Sequence, residues 1–116
     1  LYVLAEPIRL EQVMVNLISN AVDALSSATL KQLSIDVYEQ NNKVIIDVSD
    51  TGIGIEEGQI EQIFDPFFTQ KEVGQGLGLG LSISYNIVQD FGGQIRVSST
   101  PETGSRFTLE LAKAVQ

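Results

Sequence analysis

Three short polar residues, Asn16, Asn20 and Asp23, recur along one stretch of the sequence. Their spacing of four and then three residues places the side chains on one stripe of an α-helix. A solvated helix face is the ordinary explanation of such a stripe. However, Asn and Asp are poor formers of helix interiors, and their side-chain oxygens are ligands that suit Mg²⁺. The stripe is therefore a candidate metal site.

A second candidate is the segment Asp50-Thr-Gly-Ile-Gly-Ile55. Asp50 continues the alternation of apolar residues that begins at Val44, which places its carboxylate on the apolar face of a strand. A charge there is costly unless it is paired. Either Asp50 caps a turn before Gly52 and Gly54, or it is a buried acceptor for a ligand's N–H donors, such as the amino group of adenine. In the second case the glycines allow the backbone to approach a flat base.

A third candidate is the run of alternating glycines in 74–80, which leads into a predicted helix. Backbone N–H groups and the helix dipole make such a junction suitable for phosphate. The intervening residues Leu77, Leu79 and Leu81 are too apolar for a simple linker. The run matches neither the dinucleotide fingerprint nor the Walker pattern. Lys71 is the cation near this run, and either a phosphate contact or plain solvation explains it.

Composition limits the remaining possibilities. The 116 residues are 43% apolar, which suits one domain with one core. The net charge of −8 argues against general electrostatic binding of nucleic acid or anionic membranes. Cys and His are both absent, which excludes disulfides, thiolate metal sites and histidine chemistry within the chain. No apolar run reaches the length of a membrane span. The start at Leu1 without Met suggests a piece of a longer protein.

The pattern of apolar residues predicts the elements that position these candidates. An amphipathic helix is expected over 8–27, after Pro7 in its first turn, and a second long helix is expected to end at Gly92-Gly93. A hairpin turn is expected at Asn41-Asn42. Each strand of the hairpin should have one covered and one wetter face. The other expected elements are strands at 1–5, 33–38, 44–49, 94–99 and 105–112, a short helix at 59–64 and a mobile loop over 65–80. Together they indicate a two-layer α/β sandwich with helices on one face of a sheet.

Five segments in this order resemble the ATP-binding domain shared by sensor histidine kinases, type II topoisomerases, mismatch-repair ATPases and ATP-dependent chaperones. The likeness covers nearly the whole chain, and five motifs in order are far more specific than any one of them. The matching segments are Asn16-Leu-Ile-Ser-Asn20-Ala, Asp50-Thr-Gly-Ile-Gly-Ile55, Ile63-Phe-Asp-Pro-Phe-Phe-Thr69, Gly76-Leu-Gly-Leu-Gly-Leu-Ser82 and Thr103-Gly-Ser-Arg-Phe-Thr108. The third segment is similar to the phenylalanine box of the kinases. The segments 20–25 and 79–93 look most like nitrogen-regulation and four-carbon-dicarboxylate sensor kinases.

The resemblance implies a mixed, mostly antiparallel sheet of about five strands with about three helices on one face, the Bergerat-type fold. It implies that Asn20 coordinates Mg²⁺, that Asn16 lies near the triphosphate and that Asp50 binds the adenine amine. Residues 65–74 would form a lid anchored by phenylalanines, which also read well as plain core. The full set of expected ATP-binding residues is Asn16, Asn20, Asp23, Asp50, Gly52, Ile53, Gly54, Ile55, Phe64, Phe68, Thr69, Lys71, Gly76, Leu77, Gly78, Leu79, Gly80, Leu81, Ser82 and Thr108.

The resemblance further implies phosphoryl transfer from ATP to a histidine on a separate dimerisation domain of the same protein, with a response regulator downstream. The ATPase relatives carry a glutamate where this chain has Asn16, and an amide cannot take a proton from water. No catalytic residue is expected in the chain, which as a domain would be monomeric and cytoplasmic. The full-length protein would be a homodimeric bacterial inner-membrane sensor. Three rivals remain: an ATP hydrolase or a serine kinase of the same superfamily, and a non-enzymatic interaction module.

Overall fold

The computed structural model describes residues 7–26, 28–64 and 80–113. In them the chain forms a helix, a hairpin, a short 3₁₀ helix, a second helix and a second hairpin. The elements are α1 (Pro7–Leu25), β1 (Leu33–Gln40), β2 (Lys43–Asp50), the 3₁₀ helix (Glu57–Gln62), α2 (Gly80–Asp90), β3 (Gln94–Thr100) and β4 (Gly104–Ala112). These bounds confirm the predicted helices and strands within the described residues. The strand predicted at 1–5, the lid predicted at 65–74 and all of the loop predicted over 65–80 except Gly80 lie outside them, and Gly80 is the first residue of α2.

The four described strands form one antiparallel sheet in the order β1-β2-β4-β3. Asn41 and Asn42 connect β1 to β2 with φ angles of 53° and 64°. Two successive left-handed residues define the type I′ turn that suits a two-residue hairpin, and Asn tolerates this conformation. The hairpin prediction is confirmed, and the turn fixes the register in which Asp50 lies opposite Leu33.

One face of the sheet is covered by helices, as predicted. The apolar stripe of α1 packs on β2, α2 packs on α1 and β3, and the 3₁₀ helix packs on β3. Their buried side chains interdigitate with the inner-face residues of β2, β3 and β4 in one continuous core. This core holds the helices and the carboxyl end of β2 in fixed positions. The fully or nearly fully buried members are Val13, Leu17, Ala21, Ile46, Val48, Ile55, Ile63, Ile87, Val88, Ile95, Phe107, Leu109 and Leu111.

The prediction of one covered face for each hairpin strand is wrong for β1, which is exposed along its length. β1 is one of the two edge strands among those described, and α1 packs over its neighbour β2 instead. The prediction of a wetter second face also fails for β2. Asp47 on that outer face is buried, because the hydroxyl groups of Tyr38 and Thr108 donate to its carboxylate from the neighbouring strands at 3.0 and 2.6 Å.

Two further contacts fix the helices relative to each other. The guanidinium of Arg9 in α1 forms an ion pair with Asp90 in α2 at 2.6 Å and lies 5.6 Å from the ring centre of Phe91. Directly after Asp90, at the same end of α2, the chain turns through N–H bonds from Gly92 and Gly93 to the helix carbonyls. Neither helix in the described part of the chain is both long and apolar enough to span a bilayer.

Candidate functional site

Asp50 ends β2 on the inner, helix-covered face of the sheet. Its side chain is buried, with only 6% of the residue exposed, and the Gly52 N–H donates to Oδ1 at 2.9 Å. Burial raises the pKa of the Asp50 carboxyl, and hydrogen bonds from the backbone N–H groups of Gly52 and Ser105 partly oppose the rise. A carboxylate offers about four acceptor positions. Two backbone donors therefore leave capacity for the N–H donors of a ligand.

The two interpretations left open for Asp50 are both visible in this geometry. The bond from Gly52 is the turn cap that an Asp before glycine commonly makes. Its burial on the apolar side is what the alternation of β2 predicted. Capping alone does not require a buried carboxylate, because an exposed Asp caps equally well at no desolvation cost.

The loop after Asp50 is held against the rest of the protein by backbone hydrogen bonds. The Ile53 N–H donates to the carbonyl of Ala24 at 3.1 Å, in the last turn of α1, and the Ile53 carbonyl accepts from Glu102 at 2.7 Å. The Ile55 N–H donates to the Ser99 hydroxyl at 2.7 Å. The loop is thus fixed between the end of α1 and the β3–β4 hairpin, with Ile53 exposed and Ile55 buried.

Close approach explains both glycines of this loop. A Cβ on Gly52 would overlap the backbone of Ala24, and a Cβ on Gly54 would overlap the carbonyl of Thr100. Gly54 also has a φ of 73°, in the left-handed region. The expectation was that these glycines admit a flat base. In the structure their Cβ positions point into protein, so packing of the loop requires them whatever ligand it binds.

The polar stripe of α1 lies at the same end of the domain as Asp50. Asn16 and Asn20 are half-buried, whereas Asp23 is exposed. The Asn16 amide donates from Nδ2 to the hydroxyl of Ser84 in α2 at 3.2 Å. Ala24, which holds the Asp50 loop, lies one helical turn beyond Asn20. Asn20 is therefore flanked by the α2 contact on one side and the Asp50 loop on the other.

The second glycine segment is described only from Gly80, where α2 begins. Leu81 is half-buried against the core and Ser82 is buried. The helix N-terminus supplies the dipole expected for a phosphate site. The other predicted ligands of this region lie outside the described residues: Phe68, Thr69, Lys71, Gly76, Leu77, Gly78 and Leu79.

Phe64 is half-buried and packs as a core residue. Its ring centre lies 5.3 Å from that of Tyr85 in α2 and 6.4 Å, edge to face, from that of Phe107 in β4. The described contacts of Phe64 are therefore those of a core residue, which was the alternative interpretation of the phenylalanines. These contacts also fix the point where the described chain enters the segment 65–79.

The structure does not place Thr108 on the same face of the sheet as Asp50. Thr108 points to the outer face of the sheet, where it donates to Asp47. Ser105, three residues earlier and hence on the opposite face, lies directly across from Asp50 in the β2–β4 register and is buried. Its hydroxyl lies 2.9 Å from that of Ser99. Sequence reasoning missed Ser105. Side chains two residues apart on a strand share a face. Since Phe107 is of a residue type expected in the core, the strand alternation could have placed Ser105 on the covered face.

The donor set fits Mg²⁺ bound together with a phosphate ligand. In the described ranges no group of three or more His, Cys, Asp and Glu residues could hold a metal. The candidate protein ligands are instead the amide oxygens of the half-buried Asn16 and Asn20. Mg²⁺ is commonly held by one or two protein oxygens, with waters and substrate phosphates completing its octahedron.

Comparison with known proteins identifies the class to which this fold and site belong. Residues 5–115 match the family model described as "Histidine kinase-, DNA gyrase B-, and HSP90-like ATPase". The chain belongs to this family. The resemblance inferred from the five motifs is therefore confirmed.

Within the family the similarity is to sensor histidine kinases. The C4-dicarboxylate transport sensor protein DctB of Rhizobium meliloti is 42% identical over 114 residues, which are 98% of this chain and 18% of DctB. The solved catalytic domain of histidine kinase ThkA is 37% identical, with a TM-score of 0.80 over 94% of this chain and 69% of that one. Full-length ShkA, solved in complex with AMPPNP, is 27% identical, with a TM-score of 0.79 over 93% of this chain and 22% of that one.

These matches confirm the predicted fold and the predicted likeness to four-carbon-dicarboxylate sensors. The chain spans 22% and 18% of the length of the first two curated relatives. What it shares with each of them is thus a small part of that relative's length.

Proposed function

We propose that this chain binds ATP with Mg²⁺ and donates the γ-phosphoryl group to a histidine on a separate dimerisation domain, as part of a two-component system. One observation carries the proposal: a buried carboxylate, Asp50, and a stripe of amide side chains, Asn16 and Asn20, are fixed at the same end of the domain. The Ile53–Ala24 hydrogen bond joins the loop of the first to the helix of the second. A buried acceptor for a base and oxygens for a metal are the two contacts that a metal–nucleotide needs.

Asp50 supports a preference for adenine. The 6-amino group of adenine is a hydrogen-bond donor, whereas guanine has an acceptor oxygen at the same position. A buried carboxylate accepts from the first and repels the second. The two backbone N–H groups that already bind Asp50 hold its carboxylate in one orientation.

Asn20 is the proposed metal ligand, with Asn16 beside it on the stripe. When bound, Mg²⁺ neutralises charge on the β- and γ-phosphates. The α2 N-terminus at Gly80 adds its dipole on the phosphate side. The chain itself would thus bind and orient the nucleotide and hold the metal that neutralises the phosphate charge. Positioning and charge neutralisation are the larger part of catalysis in phosphoryl transfer.

The acceptor of the phosphoryl group has to come from another domain, because the chain contains no His. Asn16 is an amide and cannot act as a base toward water. This domain would therefore bind ATP without hydrolysing it, and the reactive imidazole would belong to a dimerisation domain of the same protein. A response regulator would receive the phosphoryl group next. The longer protein would be a homodimeric membrane sensor with this domain in the cytoplasm.

Radiolabelled ATP tests the proposal. The full-length protein, incubated with Mg²⁺ and ATP labelled in the γ-phosphate, should acquire a label that is labile to acid and stable to alkali, as a phosphohistidine is. The 116-residue chain alone should acquire no label and release inorganic phosphate no faster than a blank. Steady phosphate release by the chain alone would indicate a hydrolase. An acid-stable label would indicate a serine kinase.

A further inference from the structure

Ser84 in α2 is a hydroxyl at a position where the core would accept an apolar side chain. It is 0% exposed, as is Val88 one turn later on the same helix face. A buried hydroxyl without a hydrogen bond costs free energy, and alanine would avoid that cost. Ser84 has such a bond, because the Asn16 amide donates to its Oγ at 3.2 Å across 68 residues of sequence. The hydroxyl therefore serves the contact with α1.

This bond ties the Asn16 side chain of α1 to α2. The last torsion of Asn is broad, so an amide without such a contact would sample a wide range of orientations. The contact with Ser84 restricts that range. An amide oxygen cannot hydrogen-bond to ionised phosphate, but it can ligate Mg²⁺ or accept from its bound waters.

We infer that Ser84 is a positioning residue for metal-dependent nucleotide binding: it holds the Asn16 amide in place beside Asn20 on the polar stripe of α1. The inference rests on the proposed function and extends it to a residue that contacts neither nucleotide nor metal. It also connects the two segments of the site, since Ser84 lies one turn after the start of α2 at Gly80.

The test measures the affinity of a non-hydrolysable ATP analogue by calorimetry, with Mg²⁺ and again with EDTA. The metal effect is the dissociation constant in EDTA divided by the dissociation constant in Mg²⁺. Ser84→Ala should reduce this ratio about 3- to 10-fold, the value of one hydrogen bond, while the affinity in EDTA changes less than about two-fold. Ser84→Thr, which keeps the hydroxyl, should restore most of the ratio. Val88→Ala, a cavity on the same face of α2, should leave the ratio unchanged.

A double variant provides the second criterion. In an Asn16→Ala background, Ser84→Ala should have no further effect on the ratio, because both changes remove the same contact. A wild-type ratio in folded Ser84→Ala, an equal fall in Val88→Ala or additive effects in the double variant would overturn the inference and leave the proposed function standing. Absence of nucleotide binding by the wild-type chain would overturn both.

Discussion

Replacing Asp50 with asparagine removes the charge and keeps the shape of the side chain. The Asn oxygen can still accept from the Gly52 N–H, which binds Oδ1 at 2.9 Å, so the loop should keep its conformation. The bond to the adenine amine loses its ionised acceptor. A hydrogen bond to a charged group contributes about 1.5–3 kcal/mol, so ATP affinity should fall about 10- to 150-fold. Calorimetric titration with a non-hydrolysable ATP analogue and Mg²⁺ measures this loss.

The same change should increase stability without nucleotide at neutral pH. Burial raises the pKa of the Asp50 carboxyl in the folded state above its ordinary value of 3.8. The contribution of such a group to stability is fully present below the unfolded-state pKa and is lost as the pH rises through the folded-state pKa. At pH 7 the wild type therefore bears the cost of a buried charge that Asp50→Asn lacks. Urea unfolding of both chains should show a difference that disappears as the pH falls below 3.8.

Asp47→Asn is the matched control, because Asp47 is also buried and lies on the same strand but faces the other side of the sheet. It should leave nucleotide affinity within about two-fold of the wild type, as expected for a residue that contacts no ligand. Unchanged affinity in a folded Asp50→Asn chain, or an equal loss in Asp47→Asn, would refute the role given to Asp50.

Four further outcomes are expected. Gly54→Ala should destabilise the fold by about 1–3 kcal/mol in urea unfolding, because φ is 73° and the new Cβ would overlap a carbonyl at the end of β3. Gly58→Ala, with open space around it, should stay within about 0.5 kcal/mol of the wild type. Asn20→Ala should weaken binding of the ATP analogue in Mg²⁺ but not in EDTA, and an equal loss in both would exclude it as a metal ligand. Hydrogen bonding to Asp47 raises the pKa of Tyr38, so in Asp47→Asn its ultraviolet absorbance should titrate at lower pH, and an unchanged titration would contradict this.

Local patterns predicted the elements and the places of several candidate residues on them. The 3.6-residue period of α1 placed Asn16 and Asn20 on one stripe, and strand alternation placed Asp50 on the covered face. The Asn41-Asn42 pair predicted the turn, because few residues adopt its left-handed backbone angles readily. Each of these features depends on neighbours within a few residues, which a single sequence displays directly.

Long-range pairing was harder to predict. The strand order leaves β1 at the edge and β2 in the middle of the described sheet, and neither fact is visible in the similar alternation of the two strands. Thr108 faces the other side of the sheet, and only the β2–β4 register shows that Ser105 lies opposite Asp50. The Asn16–Ser84 bond joins helices whose relative position is set by the core between them.

The central claim is that this domain binds ATP with Mg²⁺ and that Asp50 accepts the adenine amine, and base selectivity tests it most directly. One calorimetric experiment compares non-hydrolysable analogues of ATP and GTP in Mg²⁺, for the wild type and for Asp50→Asn. The account predicts that the wild type binds the adenine analogue much more tightly than the guanine analogue, and that Asp50→Asn loses most of that preference. Equal affinity of the wild type for the two analogues, or no binding of either, would contradict it.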